Sequence, residues 1–289
     1  MGKDFYEKFD VAKKTFDAAN DVLGFDLKKI CFEGPDERVN QTDVSQPAIY
    51  VTSVACYRAA RELGKVPDST ECGLAGLSLG EYTALHLAGV FSFEDGLKLV
   101  KARGRAMQDA AVATPSTMVA VMGATEEQVV ALCNEQAKGG VLVPANFNAP
   151  GQIVVSGDKE ACGRFGEAAS AAGYKTVPLT VAGAFHSPIM QPGADRMKTE
   201  LDTVTLHAPK TTVFSNVTAK PHSDVASIRA LLVEQIVKSV RWEQTMAQLA
   251  NVEGNKFIEL APGKVLTGLL RKQNRRADIL TLNDASTLA

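Results

Sequence analysis

Cys72-Gly73-Leu74-Ala75-Gly76-Leu77-Ser78-Leu79-Gly80-Glu81-Tyr82 is the stretch on which the fold turns. A short apolar run enters Gly76-x-Ser78-x-Gly80, and a segment of helical character follows at once. Two readings fit it. One is an ordinary Gly/Ser turn between a strand and a helix. The other is a nucleophile elbow, a sharp strand-to-helix turn that lifts the serine hydroxyl above a sheet. In that reading the flanking glycines make room for tight backbone. The Leu79 N–H, at the start of the helix, then lies beside any oxyanion that forms. The pattern alone does not separate the two, because short motifs recur by chance. The strand-turn-helix context favours the elbow.

Upstream of the elbow the chain reads as helical. Phe5, Phe9, Ala12, Phe16, Ala19 and Val22 recur at helical spacing, which predicts one amphipathic helix over 4–23. A shorter helix around Leu27–Cys31 ends at Gly34-Pro35, residues 36–44 form a loop, and Pro47 opens a long helix to Leu63. Cys72–Gly76 is the first strand. Downstream, Ser92 caps a helix over 93–111, with Glu94 and Asp95 in its first turn.

Residues 116–181 change character. Strands at Thr117–Met122, Val141–Ala145, Ile153–Ser156 and Tyr174–Leu179 alternate with helices capped by Thr125 and Asp158. The order β-α-β-β-α-β is that of a ferredoxin-like unit. The predicted class is therefore α/β: a large subdomain over 1–115 and 182–289, with a ferredoxin-like α+β subdomain inserted over 116–181. Strands at Thr212–Asn216, Lys256–Leu260 and Asp278–Leu282 and helices at Ala194–Leu201, Val225–Gln235, Trp242–Leu249 and Val265–Arg271 complete the larger part.

The chain has 289 residues, 45% apolar and 22% charged, which is globular composition with enough length for a sizeable core. A net charge of −2 leaves no basic stripe to neutralise phosphates and argues against nucleic acid as a partner. No stretch approaches the ~18 apolar residues of a membrane span. The five cysteines are scattered, odd in number and without CxxC, so they form neither a metal knuckle nor a disulfide framework. Reduced, mostly buried thiols of a cytoplasmic protein are the expectation.

Ser78 needs a base, since a hydroxyl is a weak nucleophile at neutral pH. Of the four histidines, His86, His207 and His222 read as surface or packing residues. His186 lies in Ala182-Gly183-Ala184-Phe185-His186-Ser187-Pro188, where the inserted subdomain returns to the larger one, a place where clefts form. It reads either as a base or as a satisfied structural histidine. Arg103 is a candidate carboxylate clamp. By its own sequence surroundings it equally fits a solvated helix face beside Lys98, Lys101 and Arg105.

Gly76-Leu77-Ser78-Leu79-Gly80-Glu81-Tyr82-Thr83-Ala84-Leu85, Arg103-Gly104-Arg105-Ala106-Met107-Gln108 and Gly183-Ala184-Phe185-His186-Ser187 together resemble the malonyl-CoA:acyl-carrier-protein transacylase family. So do Ala145-Asn146-Phe147-Asn148-Ala149-Pro150-Gly151-Gln152 and Pro262-Gly263-Lys264-Val265-Leu266-Thr267-Gly268-Leu269. The resemblance runs through the whole chain in the family's order. It implies an α/β-hydrolase-like parallel sheet in the large subdomain. It also implies ping-pong transfer of a malonyl group from coenzyme A to the phosphopantetheine thiol of acyl carrier protein in fatty acid synthesis, by a cytoplasmic monomer with no cofactor or metal. Ser78 matches the nucleophile, His186 the base, Leu79 an oxyanion amide and Arg103 the residue that pairs with the free carboxylate. Gln235 matches the residue whose backbone carbonyl orients the histidine, so truncating its side chain is expected to be mild.

The family begins with an apolar strand and a Gly-Gln-Gly turn ahead of the helix that matches Asp4–Phe9. The resemblance thus implies an N-terminal truncation that removes a second oxyanion amide and leaves apolar surface uncovered. Two further functions follow as alternatives. A serine thioesterase or hydrolase would pass the acyl group to water, with Asp158 available as its acid by order in the chain. An impaired relative would bind carrier protein without turnover.

Overall fold

A computed structural model describes residues 1–250 and 252–288. The first part of the chain is helical: α1 (Lys3–Lys8), α2 (Asp10–Leu23), α3 (Leu27–Glu33), the single-turn α4 (Asp36–Val39) and α5 (Thr42–Glu62). Helix α6 (Gly80–Leu87) begins two residues after Ser78, and α7 (Phe93–Ala113) follows. Phe5, Phe16, Tyr50, Leu85 and Leu97 bury their side chains together in the largest core.

Helices α5 and α7 pack at close range because two glycines on α7 allow it. A Cβ on Gly96 would lie 2.2 Å from the Tyr50 hydroxyl, and one on Gly104 would lie 2.4 Å from the Thr42 carbonyl oxygen. This close approach sets Gln46 of α5 against Arg103 of α7. Ser92 caps α7 as the sequence predicts, accepting from the Asp95 amide at 3.0 Å.

Three local expectations are corrected. The helix foreseen over 4–23 breaks at Phe9, which is extended (φ −129°, ψ 120°). The apolar spacing runs through the break because α1 and α2 serve the same core, so periodicity cannot reveal it. The loop foreseen at 36–44 contains α4 and the first turn of α5. Pro47 lies inside α5 and does not open it. An interior proline costs a helix about 3 kcal/mol. Here the turn ahead of it is held from outside: Gln108 Oε1 accepts from the Thr42 amide, and Arg38 pairs with Asp43 at 2.9 Å.

The strands foreseen at Cys72–Gly76 and Thr212–Asn216 reduce to one parallel bridge between Leu74 and Val213. Two hydrogen bonds hold it, Leu74 N–H to Thr212 O at 2.8 Å and Phe214 N–H to Leu74 O at 3.1 Å. Beyond it a side chain replaces the ladder. Asn216 Oδ1 accepts from the Ser78 amide at 2.5 Å, and its Nδ2 donates to Gly76 O at 2.8 Å.

Next come β1 (Ser116–Met122), α8 (Glu126–Ala137), β2 (Leu142–Ala149), β3 (Gln152–Asp158), α9 (Lys159–Ala171) and β4 (Lys175–Pro178). They build an antiparallel sheet of order β4-β1-β3-β2, the ferredoxin-like arrangement. Thr125 and Gln128 form a capping box at α8. Asp158 precedes α9 without capping it through its side chain; its Oδ2 accepts from the Val141 amide at 2.6 Å. Strand alternation gives the sheet two apolar faces. Val119 and Val121 pack with Val129, Phe147 and Phe165. Met118, Ala145 and Val154 face Phe185, beside His186.

The chain continues through α10 (Gln191–Asp202) and α11 (Val225–Glu234) to β5 (Val240–Arg241), which joins β2 in parallel. Helix α12 (Trp242–Ala250), β6 (Lys256–Leu260), α13 (Val265–Gln273) and β7 (Asp278–Leu282) complete the described elements, and β6 and β7 pair in parallel. A groove of about 450 Å³, lined by Leu74, Leu87, Trp242 and Phe257 among others, separates the Leu74 segment from β6.

The two elbow glycines are not equivalent. A Cβ on Gly76 would lie 2.0 Å from the carbonyl carbon of Gly80, whereas one on Gly80 meets nothing within 4 Å. Gly76→Ala is expected to lose about 3 kcal/mol or more, because backbone on both sides cannot yield. Gly80→Ala, in the first turn of a helix, should stay within about 1 kcal/mol of the parent. Urea unfolding of the two variants checks this, and equal losses would contradict it.

Candidate active site

Ser78 sits at the head of α6 with φ of 51°, in the left-handed region. His186 also has positive φ, 57°. Such backbone costs about 1–3 kcal/mol per residue and persists where the surroundings over-determine it. Around Ser78 the determinants are the Asn216 side chain and three tight turns, Gly80 N–H to Leu77 O, Glu81 N–H to Ser78 O and Tyr82 N–H to Leu79 O. The Leu79 amide is left over at the amino end of the helix. Around His186, Ser156 Oγ donates to Phe185 O at 2.6 Å, and Ser116 Oγ accepts from the Ala184 amide at 3.0 Å. Gly183 lets this loop lie against α7; a Cβ there would come within 2.9 Å of Ala111 Cα.

Ser78 Oγ is 2.9 Å from His186 Nε2. His186 Nδ1 is 2.6 Å from the backbone carbonyl of Gln235, the residue that follows the last turn of α11. A carbonyl only accepts, so Nδ1 carries the proton and Nε2 presents its lone pair to the serine. His186 is buried, and its pKa is pushed down to about 4. Burial is the main cause; the Arg103 charge adds to it, and the Gln235 carbonyl opposes it. The imidazole is therefore neutral and able to take a proton throughout the physiological range.

Arg103 is buried, at 1% exposure, and is not on a solvated face. The helical pattern around it is polar because its neighbours Lys101 and Arg105 point outward, which hides the one inward position. NH1 donates to Gln46 Oε1 at 2.7 Å; NH2 donates to Gln235 Oε1 at 2.8 Å and to Ser78 Oγ at 2.9 Å. All three acceptors are neutral, and the buried Nε–H has no partner. Burial lowers the guanidinium pKa, while Tyr82 and Glu81 act against that shift.

Gln235 thus uses more than its main chain. Besides binding Arg103, its Nε2 donates to Ser78 O at 3.0 Å and to Glu81 Oε2 at 2.7 Å. The expectation of a mild Gln235→Ala effect is corrected on this ground: the side chain touches the arginine, the elbow and a buried carboxylate at once. Glu81 Oε2 also accepts from the Asn216 amide at 3.1 Å, and Oε1 lies 2.8 Å from His222 Nε2. Glu81 and His222 are both buried. Gln46, Asn216, Glu81 and His222 carry no sequence signal for this site; Glu81 stands in the elbow stretch itself, yet its partners lie more than 130 residues away.

The other candidates fall elsewhere. His86 Nδ1 lies 3.1 Å from Phe91 O, and its ring packs near Tyr50 and Phe93. His207 is exposed. Asp158, the acid required by a hydrolase reading, is engaged with Val141, and the orienting partner of His186 is the Gln235 carbonyl. All five cysteines are free, four of them buried. Among the described residues no cluster of three or more His, Cys, Asp or Glu is placed to hold a metal ion. No helix of the described residues is long and apolar enough to cross a membrane.

The His186 pKa carries a stability consequence. Its folded value of about 4 lies below its ordinary 6.5, so the unfolded chain takes up this proton first as pH falls. The contribution is whole above pH 6.5 and is lost as pH falls toward 4. Wild-type stability should therefore fall by about 3 kcal/mol more than that of His186→Asn across this window. Asparagine tolerates the left-handed backbone and does not titrate. Parallel urea unfolding curves at several pH values check this; identical pH dependence would refute a buried neutral His186.

Comparison with known proteins places this geometry. The acyl transferase domain family matches residues 1–286. Malonyl CoA-acyl carrier protein transacylase of Escherichia coli K12 is 39% identical over 294 residues, covering all of this chain and 93% of that protein. The enzyme of the same name from Bacillus subtilis 168 is 39% identical over 290 residues, covering all of this chain and 90% of its own. Among solved structures, the malonyl CoA-acyl carrier protein transacylase of Coxiella burnetii superposes with a TM-score of 0.95 at 34% identity, over all of this chain and 90% of that one. A malonyl-transacylase solved in complex with its type II polyketide acyl-carrier protein gives 0.93 at 38% identity, over all of this chain and 93% of that one. With a serine elbow, a buried histidine and a buried arginine meeting at one hydroxyl, the chain belongs to the acyl transferase domain family.

Proposed function

We propose that this chain transfers a malonyl group from coenzyme A to the phosphopantetheine thiol of acyl carrier protein, as its 39% identical relatives are named for doing. One observation carries the reading. A single hydroxyl, Ser78 Oγ, lies 2.9 Å from a neutral imidazole nitrogen and 2.9 Å from a buried guanidinium whose acceptors are all neutral. The first is what acyl transfer needs; the second is what a substrate with a free carboxylate needs.

In the first half-reaction Ser78 Oγ attacks the thioester carbonyl while His186 Nε2 takes its proton. The oxyanion accepts from the Leu79 N–H at the amino end of α6. Collapse breaks the C–S bond, and the departing coenzyme A sulfur takes the proton from His186, leaving a malonyl-serine ester. In the second half His186 takes the proton of the phosphopantetheine thiol, the sulfur attacks the ester, and Ser78 Oγ recovers the proton as it leaves. Arg103 holds the malonyl carboxylate, which takes over the donor now given to Ser78 and reaches the unpartnered Nε–H. Leaving that carboxylate buried without a partner would be costly, so the arginine also selects the substrate. The acyl exchange balances without a resident cofactor. We place the enzyme in the cytoplasm as a monomer, with the large subdomain over 1–115 and 182–289 and the ferredoxin-like one over 116–181.

Incubation with malonyl-CoA should add one malonyl group to Ser78, read by intact-mass and peptide mapping, and Ser78→Ala should abolish it. Added holo-carrier protein should then collect the group. Arg103→Ala should lower malonyl transfer roughly 10–100-fold, the worth of a hydrogen bond to a charged group, with a smaller effect on acetyl transfer. Release of free malonate with no need of carrier protein would replace transfer by hydrolysis. Absence of turnover would leave a binding role.

A further inference from the structure

Burying a guanidinium without a compensating charge is expensive, by several kcal/mol in proteins. Arg103 is 1% exposed and touches no carboxylate of its own chain among its hydrogen-bond partners. A direct Asp or Glu partner would relieve that cost, but it would occupy the donors that a substrate carboxylate must use. The chain holds a buried carboxylate one residue further out. Glu81 accepts from Gln235 Nε2 at 2.7 Å, and Gln235 Oε1 accepts from Arg103 NH2 at 2.8 Å. The amide orientation is dictated from both ends, since its N–H side must face the carboxylate and its oxygen the guanidinium. Glu81 is anchored in turn by the Asn216 amide at 3.1 Å and by His222 at 2.8 Å.

We infer that Glu81 is a positioning residue for malonyl selectivity, balancing the Arg103 charge across the neutral Gln235 amide so that the guanidinium stays open to the substrate carboxylate. This rests on the malonyl-transfer reading of the site. An amide between two charges is polarised by both, so it passes the attraction on while keeping the anion away from the donor fork. The separation matters because contact and one-removed placement have opposite consequences. A carboxylate in contact competes with substrate, whereas one an amide away stabilises the empty site and leaves the binding face vacant. The charge of Glu81 indeed acts on Arg103, opposing the effect of burial on it.

The exchange variant Glu81→Gln with Gln235→Glu tests this directly. It keeps side-chain shape, total charge and the Gln235 backbone carbonyl, but moves the carboxylate into contact with Arg103. The ratio of malonyl to acetyl kcat/KM should fall tenfold or more, through a higher KM for malonyl-CoA. An unchanged ratio, or equal loss of both activities, overturns the proposal, because a structural role for the pair would slow both acyl groups alike. Gln235→Met is the second variant and decides the matter if the exchange variant does not fold by circular dichroism. It removes the amide bridge while leaving the carbonyl for His186, so the same selective loss of malonyl transfer is expected, and wild-type selectivity overturns the proposal. Failure of the underlying function is distinguishable, since it would show as absence of malonyl-serine in the wild-type protein.

Discussion

Gln235 holds both chemical halves of the site from one position. Its backbone carbonyl, an orphan acceptor at the end of α11, fixes the proton on His186 Nδ1, and its side-chain amide binds Arg103 and the elbow. His186 and Arg103 therefore cannot drift independently. A shift of α11 would move the imidazole and the guanidinium together, and both act on the same serine hydroxyl. The placement of α11 against α10 and of α7 against α5 is what the chemistry depends on. Gly96 and Gly104 enter through the packing of α7 on α5, and Gly183 through the seating of the His186 loop on α7, since each leaves room that a Cβ would fill.

The site also concentrates backbone strain. Among the described residues four non-glycine positions have left-handed backbone, and Ser78 and His186 are two of them. Neither is held by its own segment alone. The Ser78 amide is tied to Asn216, more than 130 residues on, and the His186 loop is tied to Ser116 and Ser156 on the antiparallel sheet. Strain at Ser78 and His186 is thus offset by hydrogen bonds to distant elements, so the two side chains come into register only when those elements are in place.

Features encoded by short-range chemistry were legible in the sequence. The elbow, the Ser92 and Thr125 caps and the ferredoxin-like order all depend on residues within a few positions of one another. The Leu74–Val213 pairing was legible as apolar runs, but its reduction to a single bridge was not, because pairing length depends on neighbours far along the chain. Arg103 shows the limit most clearly. Its sequence surroundings describe a solvated helix, and only the packing of α7 against α5 and α10 turns it inward. The resemblance to a family implied a role for it but not its partners. The side chains of Gln46, Gln235, Asn216, Glu81 and His222 make their contacts across 50 to 160 residues, where no local pattern reports them.

The choice of a carbonyl to orient His186 follows from the same constraint as the choice of an amide beside Arg103. A carboxylate on Nδ1 would favour the imidazolium and raise the histidine pKa. It would also add an anion one imidazole away from the Arg103 guanidinium, the group proposed to receive the substrate's carboxylate. A carbonyl orients the ring and fixes its tautomer while adding no anion, and its upward pull is outweighed by burial and the Arg103 charge, which leave the pKa at about 4. In the proposed reaction the leaving group is a thiol in the first half and Ser78 Oγ in the second, and an imidazolium whose pKa is held low by burial would return its proton readily to either. In this site Glu81 stands one amide back from Arg103, and His186 is oriented by a carbonyl instead of a carboxylate.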